Sequence, residues 1–171
     1  MDFDTNALAR TVDLLYPTLS TAQKHAFDIV MSSVRNDEGR LYCLNASGGT
    51  GKTYLLNVII DAEPAQHKIV LATALSGIAG TLLHNGHTLH SCCKIPLNLN
   101  EYSTYQISNN ASTAKLLRLA KMLIINEVSM GHRYLFECLN RSLQDIRKNS
   151  HLFGGITVLF AGDWKQLLPV V

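Results

Sequence analysis

The octet Ala46-Ser47-Gly48-Gly49-Thr50-Gly51-Lys52-Thr53 constrains this chain more than any other stretch. An apolar run, Leu41-Tyr42-Cys43-Leu44, precedes it, and a helical pattern, Tyr54-Leu55-Leu56-Asn57-Val58-Ile59-Ile60, follows it. Strand, glycine-rich turn and helix in that order give a P-loop string its physical meaning. Small residues let the backbone wrap an anion with successive N–H groups turned inward, and the helix behind adds the positive end of its dipole. Gly48, Gly49, Thr50 and Gly51 would line the cradle. Lys52 would reach the outer phosphates of a nucleotide, and the Thr53 hydroxyl would take a place on Mg²⁺. The usual pattern opens with glycine. Ala46 stands there instead, and its methyl group makes a positive φ costly. The plainer alternative, an ordinary strand-to-helix turn, leaves Gly51-Lys52-Thr53 behind Gly48 and Gly49 unexplained.

The rest of the chain alternates strand and helix. Ser20-Thr21-Ala22-Gln23 reads as a capping box, and Ala22, Ala26, Ile29, Val30 and Val34 recur at helical spacing until Asn36-Asp37-Glu38-Gly39. Leu41 to Leu44 is a first strand. The helix after Thr53 is expected to stop before Pro64. Ile69 to Ala72 reads as a strand buried on both faces, and Ser76 to Leu83 as a short helix. Residues 84–110, rich in Asn, Ser, Thr and His, read as a long irregular stretch, usually functional or mobile in a compact domain. Ala114 to Ala120 is helical, Leu123-Ile124-Ile125 a third strand, His132 to Asn149 a helix, and Ile156 to Phe160 a fourth strand. This pattern predicts an α/β fold, a mostly parallel sheet with helices on both faces, whose ligand sits at the carboxyl ends of the strands.

Composition excludes other classes. With 171 residues, 47% hydrophobic and 16% charged, the chain has the makings of one globular domain. No apolar run is long enough to cross a bilayer, and Met1-Asp2-Phe3-Asp4 begins no signal peptide. Cys43, Cys92, Cys93 and Cys138 form no Cys-x-x-Cys pair, which suits free thiols in a reducing, intracellular compartment. A net charge of +2 is too mild to argue for nucleic acid.

Two further clusters fall at strand ends. After Leu123-Ile124-Ile125 comes Asn126-Glu127, the form of the acidic element that holds hydrated Mg²⁺ and activates water, except that the usual Asp is Asn126. Glu127 is the candidate general base. Asn126 can accept a hydrogen bond from a metal-bound water but carries no charge. One charge pair at 4 Å is worth roughly 4 kcal/mol at an effective dielectric of 20, so metal binding or positioning should weaken. The alternative is a polar strand end with no task. The other cluster is Gly162-Asp163-Trp164-Lys165-Gln166-Leu167-Leu168-Pro169-Val170, where Asp163 and Gln166 would lie within reach of a γ-phosphate and Gln166 could sense it. Trp164 is expected to close the core rather than stack on a base; Tyr102 and Tyr105 permit the same stacking reading. His84, His87 and His90, with Cys92 and Cys93 nearby, permit zinc, but accidental spacing in a loop is the better reading.

Taken in order, Gln23, the octet, Ala74-Leu75-Ser76-Gly77-Ile78-Ala79-Gly80, Gly86-His87-Thr88-Leu89-His90-Ser91, Ile125-Asn126-Glu127-Val128-Ser129-Met130 and Gly162 to Val170 resemble the first motor domain of Pif-type DNA helicases. These are superfamily-one, 5′-to-3′ enzymes to which the helicase part of Helitron transposons is related. The resemblance implies a RecA-like P-loop NTPase domain over residues 18–171, after a lead-in of residues 1–17. It implies ATP and Mg²⁺ as cofactors and single-stranded DNA as partner. Gln23 then reads the adenine, unless its amide serves only the capping box. Lys52 and Thr53 hold phosphate and metal, Glu127 is the base, and Gln166 couples the γ-phosphate to motion. Ser76, Gly77, Thr88 and His90 match the family's DNA contacts, although Ser76 equally suits a helix N-cap. A second RecA-like domain, or a partner, would supply an arginine finger; the chain is expected to be a first motor domain alone. The alternatives are a catalytically impaired nucleotide- or DNA-binding remnant, which Asn126 favours, and another P-loop ATPase. The resemblance also implies a nuclear or mitochondrial place if the source is eukaryotic, and roles in repair, recombination or telomere maintenance.

Overall fold

In the computed structural model, residues 5–62, 68–105, 107 and 111–166 are described. Continuous apolar runs become parallel strands buried on both faces, as such strands require. They are β1 (Leu41–Asn45), β2 (Ile69–Ala74), β3 (His87–Thr88), β4 (Ala120–Asn126) and β5 (Thr157–Gly162). Their order is β1-β5-β4-β2-β3, every pairing parallel.

Side-chain alternation splits the core in two. Tyr42, Leu44, Ala72, Met122, Ile124, Leu159 and Ala161 face α2 (Thr21–Arg35) and α3 (Lys52–Ala62). Leu71, Leu123, Ile125 and Val158 face α5 (Leu89–Cys93), α6 (Ser112–Leu119) and α7 (Arg133–Arg147). Each fully buried Leu or Ile contributes roughly 1.5–3 kcal/mol, so packing of these faces, more than helix propensity, holds the layers.

Local chemistry sets the helix ends. The capping box at α2 is complete: Gln23 N–H donates to Ser20 Oγ and Ser20 N–H to Gln23 Oε1. His132 Nδ1 accepts from Tyr134 N–H to start α7, whose Leu135, Leu139, Leu143 and Ile146 form one buried stripe. At its other end Arg147 forks onto the carbonyls of Leu117, Arg118, Ala120 and Gly154, closing the α6-to-β4 corner.

Several expectations change. Residues 84–110 are not irregular throughout: they hold β3 and α5, elements of two and five residues, too short for a periodic signal. The helix predicted from Ser76 to Leu83 is α4 (Gly77–Thr81), capped by Ser76, and Ala120 opens β4 rather than ending α6. Residues Thr5–Leu15 form α1, and Val12, Leu15 and Tyr16 pack on the α2–α3 side. Trp164 does not close the core, being 39% exposed. Pro64 and Leu167 to Val170 lie outside the described residues. Among the described residues no helix is long and apolar enough to cross a membrane.

Candidate nucleotide-binding site

Parallel pairing puts every carboxyl end on one edge of the sheet, and each candidate cluster follows one of those ends. The octet leaves β1 with Ala46 N–H still donating to Gly162 O, so Ala46 extends the ladder. Ala46 is absent from the positive-φ residues, which removes the cost expected of its methyl group. The turn bends at Gly49 (φ 76°) and Gly51 (φ 82°), and Thr50 folds back onto the Ser47 carbonyl through its hydroxyl at 2.7 Å. Gly51 is favoured by its backbone, and a side chain there would displace the Gln23 amide. Its backbone is left-handed, and a Cβ there would stand 2.7 Å from Gln23 Nε2. Gln23 uses its whole amide, since Oε1 serves the capping box while Nε2 donates to Thr50 O at 3.2 Å.

The acidic groups converge on this turn. Lys52 opens α3 with its side chain 10% exposed, and its Nζ lies 3.4 Å from Glu127 Oε1. Glu127 follows β4 in a left-handed conformation (φ 57°, ψ 39°). Such a conformation costs a non-glycine residue about 1 kcal/mol or more and gathers at functional sites. Asp163, 4% exposed just after β5, accepts from Gly48 N–H through Oδ2 and from Lys165 N–H through Oδ1, both at 3.1 Å. Gln166 Nε2 lies 3.7 Å from where a Gly48 Cβ would be. Lys52, Glu127, Asp163 and Gln166 are thus brought together around one loop.

Asn126 ends β4 between Ala74 and Ala161 and is 1% exposed. Its Oδ1 is buried without a hydrogen-bond partner among the described residues. An orphaned buried acceptor is costly, and this one ends the strand next to β5, which runs into Asp163. The oxygen set of Thr53, Asn126 and Glu127 fits a hard cation such as Mg²⁺, which keeps several waters and takes few protein ligands.

The four candidate DNA residues lie further along the same edge: Ser76 and Gly77 follow β2, Thr88 ends β3 and His90 lies in α5. Ser76 Oγ accepts from Ala79 N–H and Thr88 Oγ1 from Ser91 N–H, so both side chains cap short helices. Gly77 faces open space. His90 lines an open groove of about 560 Å³ with Leu75, Leu99, Met130, His132 and Tyr134. His84 Nδ1 instead meets the Asp61 carboxylate at 2.9 Å. Asn45 is a residue that sequence reasoning missed: its Oδ1 accepts from Trp164 N–H at 3.4 Å, a second tie between the β1 end and residues 163–166. A lone Asn at a strand end gave no signal of it.

Comparison with known proteins agrees with this architecture. The model of the PIF1-like helicase family matches residues 18–171. The chain is 39% identical over 134 residues to ATP-dependent DNA helicase Pif1 of Psychrobacter sp., covering 77% of this chain and 20% of that protein. It is 33% identical over 156 residues to ATP-dependent DNA helicase PIF1 of Candida albicans, covering 90% and 16%. The crystal structure of the Candida albicans Pif1 helicase superposes with a TM-score of 0.73 at 32% identity, over 90% of this chain and 34% of that one. A Bacteroides Pif1 in complex with ADP-AlF3 and ssDNA superposes with a TM-score of 0.65 at 29% identity, over 85% and 33%. The chain spans about a fifth of the length of the curated relatives it matches. With its RecA-like α/β fold and its P-loop at the carboxyl edge of a parallel sheet, the chain belongs to the PIF1-like helicase family.

Proposed function

We propose that this chain is the nucleotide-binding first motor domain of an ATP-dependent, 5′-to-3′ DNA helicase. The observation that carries the reading is the convergence of Lys52, Glu127, Asp163 and Gln166 on the loop of Gly48 to Gly51.

The Lys52–Glu127 pair is the resting form of the site. An arriving γ-phosphate is the stronger partner for Lys52. It takes Lys52 away from Glu127 and leaves that carboxylate free to orient and deprotonate the attacking water. Asp163 occupies the Gly48 amide and the Ser47 carbonyl the Thr50 amide, so the phosphates are held by the amides of Gly49 and of Gly51 to Thr53 together with the dipole of α3. Gln166, beside Gly48, responds to the γ-phosphate and passes its presence to the segment after β5. Gln23 reads adenine by exchanging its Thr50 contact for the base, which links base recognition to the turn. Mg²⁺ would be held by the Thr53 hydroxyl and, through its waters, by Asn126 and Glu127. When bound, it supplies charge neutralisation between the outer phosphates.

Single-stranded DNA passes over Ser76, Gly77, Thr88 and His90. Backbone amides and hydroxyl hydrogens there suit phosphate contacts, which position without reading sequence. The ADP-AlF3 and ssDNA bound to the Bacteroides relative support both ligands. Turnover coupled to stepping also needs a second RecA-like lobe and an arginine finger. A second reading, a nucleotide- or DNA-binding domain with impaired catalysis, is favoured by one observation: the neutral Asn126 at the end of β4.

Calorimetric titration of ATP into the chain and into Lys52→Ala tests the proposal. Measurable binding that Lys52→Ala abolishes supports it, with little DNA-stimulated hydrolysis from the chain by itself. Equal binding by both proteins, or none by either, sinks it.

A further inference from the structure

Resting on the nucleotide-binding reading, we infer that this site takes its nucleotide almost independently of divalent cation, and that Asn126 is the residue responsible. The carboxylates around the loop are already engaged. Both Asp163 oxygens accept backbone N–H groups, and the side chain is buried. Glu127 Oε1 faces Lys52. Asn126 ends the buried strand β4 where the usual acidic element carries an Asp, and it is neutral, with its Oδ1 unpartnered among the described residues.

A carboxylate at that position would have two effects. At 1% exposure its charge would be poorly solvated, so it would repel the triphosphate strongly. It would also attract a cation strongly, and the cation would relieve the repulsion. Nucleotide affinity would then depend steeply on the metal. With Asn126 both effects are missing. The phosphates meet Lys52 and the loop amides without the added negative charge. The cation meets an amide dipole where an ion would have been. The bare nucleotide therefore binds more readily, and the metal adds less. Oδ1 keeps the shape of the acceptor and can accept a hydrogen bond from a metal-bound water, so the cation is tolerated but not demanded.

The experiment is calorimetric titration of ATP and of ADP into the chain, in EDTA and in millimolar Mg²⁺, for wild type, Asn126→Asp and Lys52→Ala. Wild-type dissociation constants should agree within about threefold between the two media, whereas Asn126→Asp should bind at least about tenfold more tightly with Mg²⁺ than without. A second readout is the thermal midpoint of the nucleotide-saturated protein. Mg²⁺ should leave it unchanged in wild type and raise it in Asn126→Asp. A wild-type affinity that rises about tenfold or more with Mg²⁺ overturns the inference and leaves nucleotide binding standing. Absence of binding in both media, or binding that survives Lys52→Ala unchanged, removes the nucleotide-binding reading itself. If Asn126→Asp does not fold, the wild-type comparison alone decides.

Discussion

Asp163 Oδ2 accepts the backbone N–H of Gly48 at 3.1 Å, tying the first glycine of the P-loop to the segment that follows β5. The two residues are 115 positions apart in sequence and become neighbours because β1 pairs with β5 in register, Asn45 beside Gly162. Movement of residues 163–166 is therefore felt at the phosphate cradle without any intervening element. Replacing Asp163 with Ala removes a half-buried hydrogen bond from an exposed loop glycine, at a cost of about 1 kcal/mol. Urea denaturation should show that loss. Nucleotide titration should show several-fold weaker binding, because the cradle loses its tether. Asp163→Asn, which keeps an acceptor in place, should recover most of both. Equal damage from the two variants would mean that charge, not the tether, is what matters.

Gln23 serves two structures with one amide, and two variants separate them. Ser20→Ala removes the α2 cap and should cost about 1 kcal/mol of stability with no change in nucleotide affinity. Gln23→Ala removes the cap's return bond and also the contact to Thr50 O. It should lower stability by a similar amount and weaken ATP binding as well. An unchanged ATP affinity in Gln23→Ala would assign this residue to α2 alone.

Sequence reading located the sheet and the phosphate turn because both have short-range signatures. The apolar runs that became β1, β2, β4 and β5 are local, and so is the Ser20–Gln23 box. The placing of Glu127 and Gln166 beside the turn also followed, since residues after parallel strands share an edge. What was illegible depends on distance in sequence or on brevity. His87–Thr88 is too short to show alternation. Nothing near Asp163 announces that its carboxylate is committed to Gly48. The orphaned oxygen of Asn126 is a property of its burial by neighbouring strands, not of the residues beside it in the chain. Trp164 misled because a large aromatic after a strand usually packs inward, whereas here the turn at Asp163 leaves it at the surface.

Arg147 tests how the opposite end of the sheet is held. Its guanidinium reaches the carbonyls of Leu117, Arg118, Ala120 and Gly154, joining α6, β4 and the turn before β5. Lysine keeps the charge but cannot present a planar fork. Arg147→Lys should therefore lower unfolding free energy by about 2–4 kcal/mol, since bonds from a charged donor are worth roughly 1.5–3 kcal/mol each and several carbonyls lose theirs. Nucleotide affinity should stay the same at temperatures where the variant is folded, as Arg147 lies at the amino end of β4 and the loop at the carboxyl edge. A loss of binding without a loss of stability would contradict that separation.

Glu127 and Lys52 make the last prediction, because their 3.4 Å pair must open before a phosphate can bind. Glu127→Gln removes the charge that holds Lys52 and leaves the side chain nearly the same size. Nucleotide should then bind as tightly as to wild type or up to about tenfold more tightly, as the lysine no longer has an anion to leave. Hydrolysis should fall in the same variant, because an amide cannot take the proton of the attacking water. The comparison is best made with a partner lobe supplied, by titration for binding and by phosphate release for turnover. Lys52→Ala should do the reverse at the binding step, losing affinity before chemistry is reached. If Glu127→Gln bound nucleotide more weakly than wild type, Glu127 would be a ligand that the bound state keeps, and the resting pair would not be a competitor for the phosphate.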